Sequence, residues 1–284
     1  MEKVLVAGAS GYLGHFVVKE FKKRNYRVRA LARSAAKLGN LKHYIDEEYI
    51  GEVTDPSSLG KVCHGIDIVF SAVGITRQRD NLTYMDVDYQ GNMNLLEQAK
   101  LSGVSSFMYV SVLNAEKLMH LKMVAAKQAF VKELKQSGID YTVIYPNGFF
   151  ADMLEILKMA KKGRGYLIGD GNYRGNPIHG ADLAEICADA VTSNEKEVHV
   201  GGPDILTQNE ILESAFHALG RKSRIIHIPL WIRNVVLSLI RTFTPQKIYG
   251  PVEFFLTVMA MDMVGTPCGK KRLRDFFEAN ATLV

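Results

Sequence analysis

The chain has 284 residues, with 35 Lys+Arg against 30 Asp+Glu for a net charge of +5, and is 47% hydrophobic and 23% charged. This ordinary globular balance excludes a disordered or fibrous chain, and so mild a charge, interspersed with acids along most of the chain, does not indicate a nucleic-acid binder. Three scattered cysteines, Cys63, Cys187 and Cys268, fit neither a disulfide framework nor a zinc cluster, so a reducing, cytoplasmic compartment is expected and no metal.

Residues 4–7 form a short apolar run that ends in Gly8-Ala9-Ser10-Gly11-Tyr12-Leu13-Gly14. Phe16, Val17, Val18 and Phe21 then recur at helical spacing among Lys19, Glu20, Lys22 and Lys23, which predicts an amphipathic helix. Strands are expected at 28–31, 48–53, 66–72, 107–112 and 141–145, and helices at 92–100 and 125–136. Strands alternating with helices at this spacing predict βαβ units in a parallel sheet. Beyond Pro146 the rhythm changes. Gly163, Gly165, Gly169, Gly171 and Gly175 crowd one loop-rich stretch, followed by a helix at 182–191, a strand at 197–200 and helices at 208–219, 231–241 and 252–263. The pattern predicts an α/β, Rossmann-like doubly wound parallel sheet with a smaller, mostly helical C-terminal lobe. Residues 1–200 would form the dinucleotide-binding domain, with a lobe insertion near 150–176, and residues 201–284 the substrate lobe. The N-terminus lacks a signal-peptide pattern, and no apolar run reaches the roughly 18 residues of a membrane span, so no integral membrane segment is expected.

The triplet Gly8, Gly11 and Gly14 lies between the first strand and the first helix. There one glycine makes a tight turn, one admits a pyrophosphate to the backbone and one lets the helix pack on the strand. The helix N-terminus offers its amides to the phosphates. A dinucleotide site preferring NAD offers an acid about 20 residues further on, for the ribose 2′-hydroxyl. Here the second strand reads Arg29-Ala30-Leu31-Ala32-Arg33-Ser34, with no acid before Asp46. Arg33 can fork onto a 2′-phosphate, with Ser34 donating and Lys37 nearby, so NADP(H) is the expected cofactor. The plainer alternative is a solvated basic strand end.

These residues together resemble the short-chain dehydrogenase/reductase superfamily in its atypical, NmrA-like branch. The resemblance covers residues 1–200 and is carried by the glycine motif, Gly51-Glu52-Val53-Thr54-Asp55, Ser71-Ala72-Val73-Gly74, Tyr109-Val110-Ser111, Lys127, Tyr145-Pro146-Asn147-Gly148 and Asn176-Pro177-Ile178-His179-Gly180-Ala181-Asp182. It implies that Ser10, Tyr12 and Leu13 join the glycines around the cofactor, that Glu52 and Val53 flank the adenine, and that Ala72, Val73 and Gly74 line the adenosine ribose. It further implies that Ser111 and Lys127 contact the cofactor and that Pro146, Asn147, Gly148 and Phe149 sit beside the nicotinamide.

The superfamily's catalytic signature is Tyr-x-x-x-Lys on one helix face, the lysine lowering the tyrosine pKa so that the phenol passes a proton to the substrate carbonyl. This chain reads Met123-Val124-Ala125-Ala126-Lys127, so the lysine is kept and the phenol is not. Val112 also stands where the supporting serine aligns. His120, seven residues before Lys127, shares its face if the helix begins that early; otherwise it is a solvated histidine between Lys117 and Lys122. Lys127 itself acts as a general acid if desolvation lowers its pKa. His120 and Lys127 are therefore the catalytic candidates, with Tyr84 and Tyr145 as further phenols and His179 as a structural residue. Arg77 or Arg79, after the fourth strand, can hold an anionic substrate or simply be an exposed loop charge.

In the tail, Trp231, Val235, Val236, Leu239 and Ile240 form an apolar stripe, and Phe254, Phe255, Val258, Met259, Met261 and Met263 add a flexible, polarizable surface. It either packs the lobe, roofs an apolar substrate pocket, makes a homodimer contact, or touches a membrane surface with Arg233 and Arg241. The expected function is an NADP(H)-dependent oxidoreductase reducing a bulky apolar or conjugated small molecule by hydride transfer without the usual tyrosine. The alternative is a non-catalytic NADP(H)-sensing regulator or assembly factor, as some NmrA-like proteins imply.

Overall fold

A computed structural model describes residues 1–76, 78 and 80–282, so Arg77 and Arg79 lie outside the described residues. The chain divides into two units: Met1–Tyr145 with Leu183–Val198, and Pro146–Asp182 with His199–Val284.

In the first unit, β1 (Lys3–Ala7), α1 (Tyr12–Lys23), β2 (Arg27–Ala32), β3 (Glu47–Ile50), β4 (Ile68–Ser71), α2 (Asn92–Leu101), β5 (Ser106–Val110), α3 (Lys122–Gln136) and β6 (Asp140–Pro146) follow one another. The strands pair in parallel in the order β3-β2-β1-β4-β5-β6. The chain leaves β1 toward β2 and β3, then reverses to β4, which makes the doubly wound sheet with its switch point beyond β1 and β4. The weak alternation of the strands has its reason in burial on both faces: Val4, Leu5, Val6, Val69, Phe70, Phe107 and Met108 are all inaccessible. α1 turns Leu13, Val17, Val18 and Phe21 inward, and the Phe21 ring meets that of Phe70 edge-on at 6.1 Å. The segment after residue 182 completes this unit. Leu183, Ala184 and Cys187 are buried, Arg24 donates to the Glu185 carbonyl at 3.2 Å and pairs with Asp189, and the Val143 amide donates to the Lys196 carbonyl at 2.8 Å. Two details differ from expectation. β3 stops at Ile50, leaving Gly51–Val53 as a turn, and a π-helical turn, Met85–Gly91, runs straight into α2.

The second unit continues with α4 (Phe150–Lys161), β7 (Gly165–Ile168), β8 (Arg174–Gly175), the start of α5 (Gly180–Ala190), the end of β9 (Glu197–Gly201), β10 (Leu206–Thr207), α6 (Gln208–Ala218), β11 (Ile225–Ile228), α7 (Leu230–Phe243), α8 (Gln246–Val258), β12 (Thr266–Pro267) and α9 (Leu273–Asn280). β7 pairs with β11 and β9 with β12 in parallel, and β8 with β10 antiparallel. Phe150, Leu157, Leu212, Phe216, Leu273 and Phe277 bring α4, α6 and α9 around one core. α6 is fixed at its start by a capping box: the Glu210 amide donates to Thr207 Oγ1 at 3.2 Å, and the Thr207 amide to Glu210 Oε2 at 2.7 Å. No helix among the described residues is long and apolar enough to cross a membrane.

A buried amide ties this unit's loops together. Asn176 is inaccessible and saturates all four of its bonding positions: Oδ1 accepts from Asn147 Nδ2 (3.0 Å) and the Gly265 amide (2.9 Å), and Nδ2 donates to the Gly202 and Gly265 carbonyls (3.0 Å each). Asp182 does similar service, its Oδ2 accepting from the Lys270 (2.9 Å) and Lys271 (2.8 Å) amides. Since each orphaned buried polar group costs about 1–3 kcal/mol, Asn176→Ala is expected to destabilise the protein by about 3 kcal/mol or more, measured as a lower urea midpoint at unchanged slope. A midpoint equal to that of the parent would show that water replaces the side chain.

Candidate functional site

The turn after β1 is built by its glycines. Gly8 has φ +85°, and a Cβ there would lie 3.1 Å from the Ala72 carbonyl carbon; a Cβ on Gly14 would lie 2.1 Å from the Gly8 carbonyl oxygen. The start of α1 is thus pressed against the end of β1. The Gly11 amide donates to the Gly8 carbonyl at 2.9 Å, and Gly11 is the N-cap of α1. No side chain caps this end and its first turn has no acid, so the helix presents its positive pole to whatever sits over the turn. A cradle that any Cβ at Gly8 or Gly14 would disrupt, at an acid-free helix start, fits a diphosphate. Ser10, Gly11, Tyr12, His15, Phe16 and Lys19 line a shallow hollow beside it, while Leu13 is buried beneath.

Arg33 follows β2 directly and is about half exposed, with Nε 3.7 Å from Glu52 Oε2 and Nη1 3.8 Å from Asp80 Oδ2. Such exposed, long pairs are worth about 0–1 kcal/mol, so the guanidinium is readily drawn to a better anion. Ser34, next to it, makes no capping bond to the 3₁₀ turn it precedes. The Gly51–Val53 turn is pinned: the Glu52 amide donates to Ser58 Oγ at 2.9 Å, and Asn94 Nδ2 donates to the Val53 carbonyl at 2.8 Å.

The loop after β4 rests on a polar cluster invisible in the sequence. Ser71 Oγ donates to Asn92 Oδ1 (2.6 Å), Asn92 Nδ2 donates to the Val73 (3.3 Å) and Asp88 (2.9 Å) carbonyls, and the Ile75 amide donates to Asp88 Oδ2 (3.2 Å). Asp88 is inaccessible, and its Oδ1 lies 2.8 Å from Lys127 Nζ. A Cβ on Gly74 would lie 2.5 Å from Lys127 Nζ and 2.6 Å from Asp88 Oδ1, so any larger residue would push on the pair. Lys127 Nζ also stands 5.5 Å from the centre of the buried Tyr109 ring.

This cluster decides the acid–base chemistry. Burial works against the Lys127 ammonium, but Asp88 and Tyr109 outweigh it and hold the amine above its ordinary value. That is the reverse of the shift a desolvated lysine acid requires. Burial pushes the Tyr109 phenol up to about 12. Met123 is buried in the first turn of α3, one turn before Lys127, and offers no proton. α3 starts at Lys122, so His120 lies outside the helix and off its face, exposed beside a turn closed by the Leu121 amide on the Leu118 carbonyl (2.9 Å). Ser111 is buried, its Oγ accepting from Gln128 Nε2 at 2.8 Å, and retains its own proton to give.

In the second unit, Pro146 and Asn147 are buried, Gly148 is exposed and Phe149 is the N-cap of α4. The Asn147 side chain is engaged structurally, with Nδ2 on Asn176 and on the Met263 carbonyl and Oδ1 accepting from the Gly148 amide at 2.7 Å. His179 stands edge-on to Phe150 at 5.6 Å, its Nδ1 accepting from the Ala181 amide at 3.1 Å, and burial holds its pKa below the ordinary value. It is a neutral packing residue.

The profile of the NAD(P)H-binding family matches residues 8–194. Among curated proteins, the chloroplastic divinyl chlorophyllide a 8-vinyl-reductase of Cucumis sativus is 30% identical over 97% of this chain and 75% of its own length. The chain spans 63% and 62% of the proteins of that name from Zea mays and Arabidopsis thaliana. The photosystem II assembly factor Ycf39 of Trieres chinensis is 26% identical over 84% of this chain and 76% of its own length. Among solved structures, leucoanthocyanidin reductase from Vitis vinifera, in binary complex with NADPH, superposes with a TM-score of 0.74 at 18% identity, over 99% of each chain, and so shares the fold.

Because breaking a buried ion pair strands one charge, Asp88→Asn is expected to cost about 3–5 kcal/mol. Lys127→Met in the same chain should restore part of that loss, and a thermal double-mutant cycle measures the coupling. Additive losses would show that the pair contributes nothing jointly.

Proposed function

This chain belongs to the NAD(P)H-binding family, in its atypical short-chain dehydrogenase/reductase, NmrA-like group, and from that membership we propose an NADP(H)-dependent oxidoreductase that reduces a conjugated double bond in a bulky apolar acceptor. The observation that carries this reading is Met123, one turn before Lys127, where a carbonyl reductase of the superfamily places its phenol. Carbonyl reduction builds charge on an oxygen that needs an acid in reach. A conjugated alkene spreads the charge into its π-system, and a weak acid or water then protonates the carbon. The reduced nicotinamide, when bound, supplies the hydride.

The chain's own groups have distinct tasks. The Gly8–Gly14 turn and the acid-free start of α1 hold the diphosphate. Arg33 exchanges its long pairs with Glu52 and Asp80 for a 2′-phosphate, with Ser34 donating alongside. Lys127, locked by Asp88 as a cation, offers its ammonium to the nicotinamide ribose and moves no proton. The relatives named as vinyl-reductases support a vinyl group on a conjugated ring as the reducible bond. A second reading, an NADP(H)-binding assembly factor without turnover, is favoured by the relatives so named and by the raised pKa of both the Lys127 ammonium and the Tyr109 phenol.

NADPH oxidation with vinyl-bearing tetrapyrroles, quinones, enones and simple ketones separates the two. Turnover confined to conjugated acceptors is expected; tight NADPH binding with silence throughout would replace the first reading by the second. Loss of charge-assisted hydrogen bonds worth about 1.5–3 kcal/mol predicts that Arg33→Asp weakens NADPH about 10- to 100-fold in calorimetric titration. NADH affinity should hardly change, and equal losses for the two would overturn the 2′-phosphate assignment.

A further inference from the structure

Two helices of the second unit are amphipathic with the wrong side out. α7 buries one side chain, Leu237, while Trp231, Val235, Leu239 and Phe243, at four-residue steps, form a row that is 65, 48, 51 and 77% exposed. α8 buries Glu253 and Thr257 and leaves Ile248, Val252 and Phe255 in solvent. A surface helix ordinarily turns its apolar stripe to the core. Contiguous apolar patches beyond a few hundred Å² are rare on proteins that have nothing to dock on. The hairpin is nonetheless ordered: Arg241 Nε donates to Glu253 Oε1 at 2.7 Å, and Glu253 is only 6% exposed.

The charge on the hairpin tells what covers it. α7, α8 and the two residues between them carry Arg233, Arg241 and Lys247 against one carboxylate. The hairpin's one carboxylate, Glu253, is inside and already neutralised by Arg241. A second copy of this face would bring the same cations against each other. A sheet of anions over hydrocarbon suits both halves: apolar side chains enter the acyl boundary while basic ones stay among the headgroups. Trp231 and Phe243, at the two ends of α7, are aromatic groups of the sort that settle at that boundary.

We propose that the α7–α8 hairpin is a docking surface for an anionic lipid bilayer, lying in the headgroup plane without crossing it. The assignment stands apart from the catalytic reading, since it holds whether or not the protein turns over NADPH.

Trp231 is the chain's single tryptophan and so reports on this face directly. The full chain is mixed with vesicles of phosphatidylcholine, or of phosphatidylcholine with phosphatidylglycerol, and Trp231 emission and cosedimentation are followed. A blue shift, quenching by brominated acyl chains and binding to the anionic vesicles are expected. At about 1 kcal/mol per basic residue near the surface, binding to neutral vesicles or in high salt should be at least tenfold weaker. Leu239→Glu and Phe243→Glu change exposed positions, so each should abolish cosedimentation while the melting temperature stays put. Lys247→Glu should weaken binding to the anionic vesicles alone. No emission change with either vesicle overturns the proposal, and equal binding to both overturns its electrostatic basis. A dimer in solution that Leu239→Glu dissociates, with no vesicle binding, hands the face to a second copy and likewise overturns it.

Discussion

An ion pair between the inaccessible Asp88 carboxylate and the mostly buried Lys127 ammonium organises the first unit's site. A carboxylate with no accessible surface needs a cation, and the cation must come from α3 while the carboxylate comes from the π-helical turn before α2. Once joined, they fix the loop after β4 from below: Asp88 takes the Ile75 amide, Asn92 takes the Val73 carbonyl, and Gly74 lies against both charges. The lysine is thereby placed, and Asp88 and Tyr109 hold its pKa above the ordinary value against the pull of burial.

The glycine turn is organised by contact rather than charge. Gly8 and Gly14 touch backbone atoms where a methyl has no room, so the approach of α1 to β1 is set by what is missing from those residues. Arg33 is held loosely by comparison, at distances where water competes with its carboxylate partners. A rigid cradle thus stands beside a loosely paired guanidinium.

Much of this was legible in the sequence because it is local. The glycine spacing, the alternation of strand and helix, the missing acid after β2 and the methionine four residues before Lys127 are all read within a few residues of one another. What was hidden depends on distance or direction. Asp88 looks like one more acid beside Asp86, and only the π-helical turn aims it inward. α4 and α9 lie beside glycine-rich or charged stretches that mask their periodicity, and they declare themselves only through the core they share. The stripe on α7 was plain, but a period tells that a face is apolar and not which way it points. His120 depended on a helix start that the chain places two residues too late, at Lys122.

The first unit is assembled from two separated stretches of chain, with Arg24 reaching Glu185 and Asp189 across a long detour. On the ribosome, the N-terminal stretch emerges well before the helix and strand that finish it. Until then the flank of β6 carries unsatisfied backbone groups, a ready template for mispairing with a neighbouring nascent chain. The vulnerable interval in this protein's biogenesis therefore runs from the emergence of β6 until residues 183–198 have followed it out.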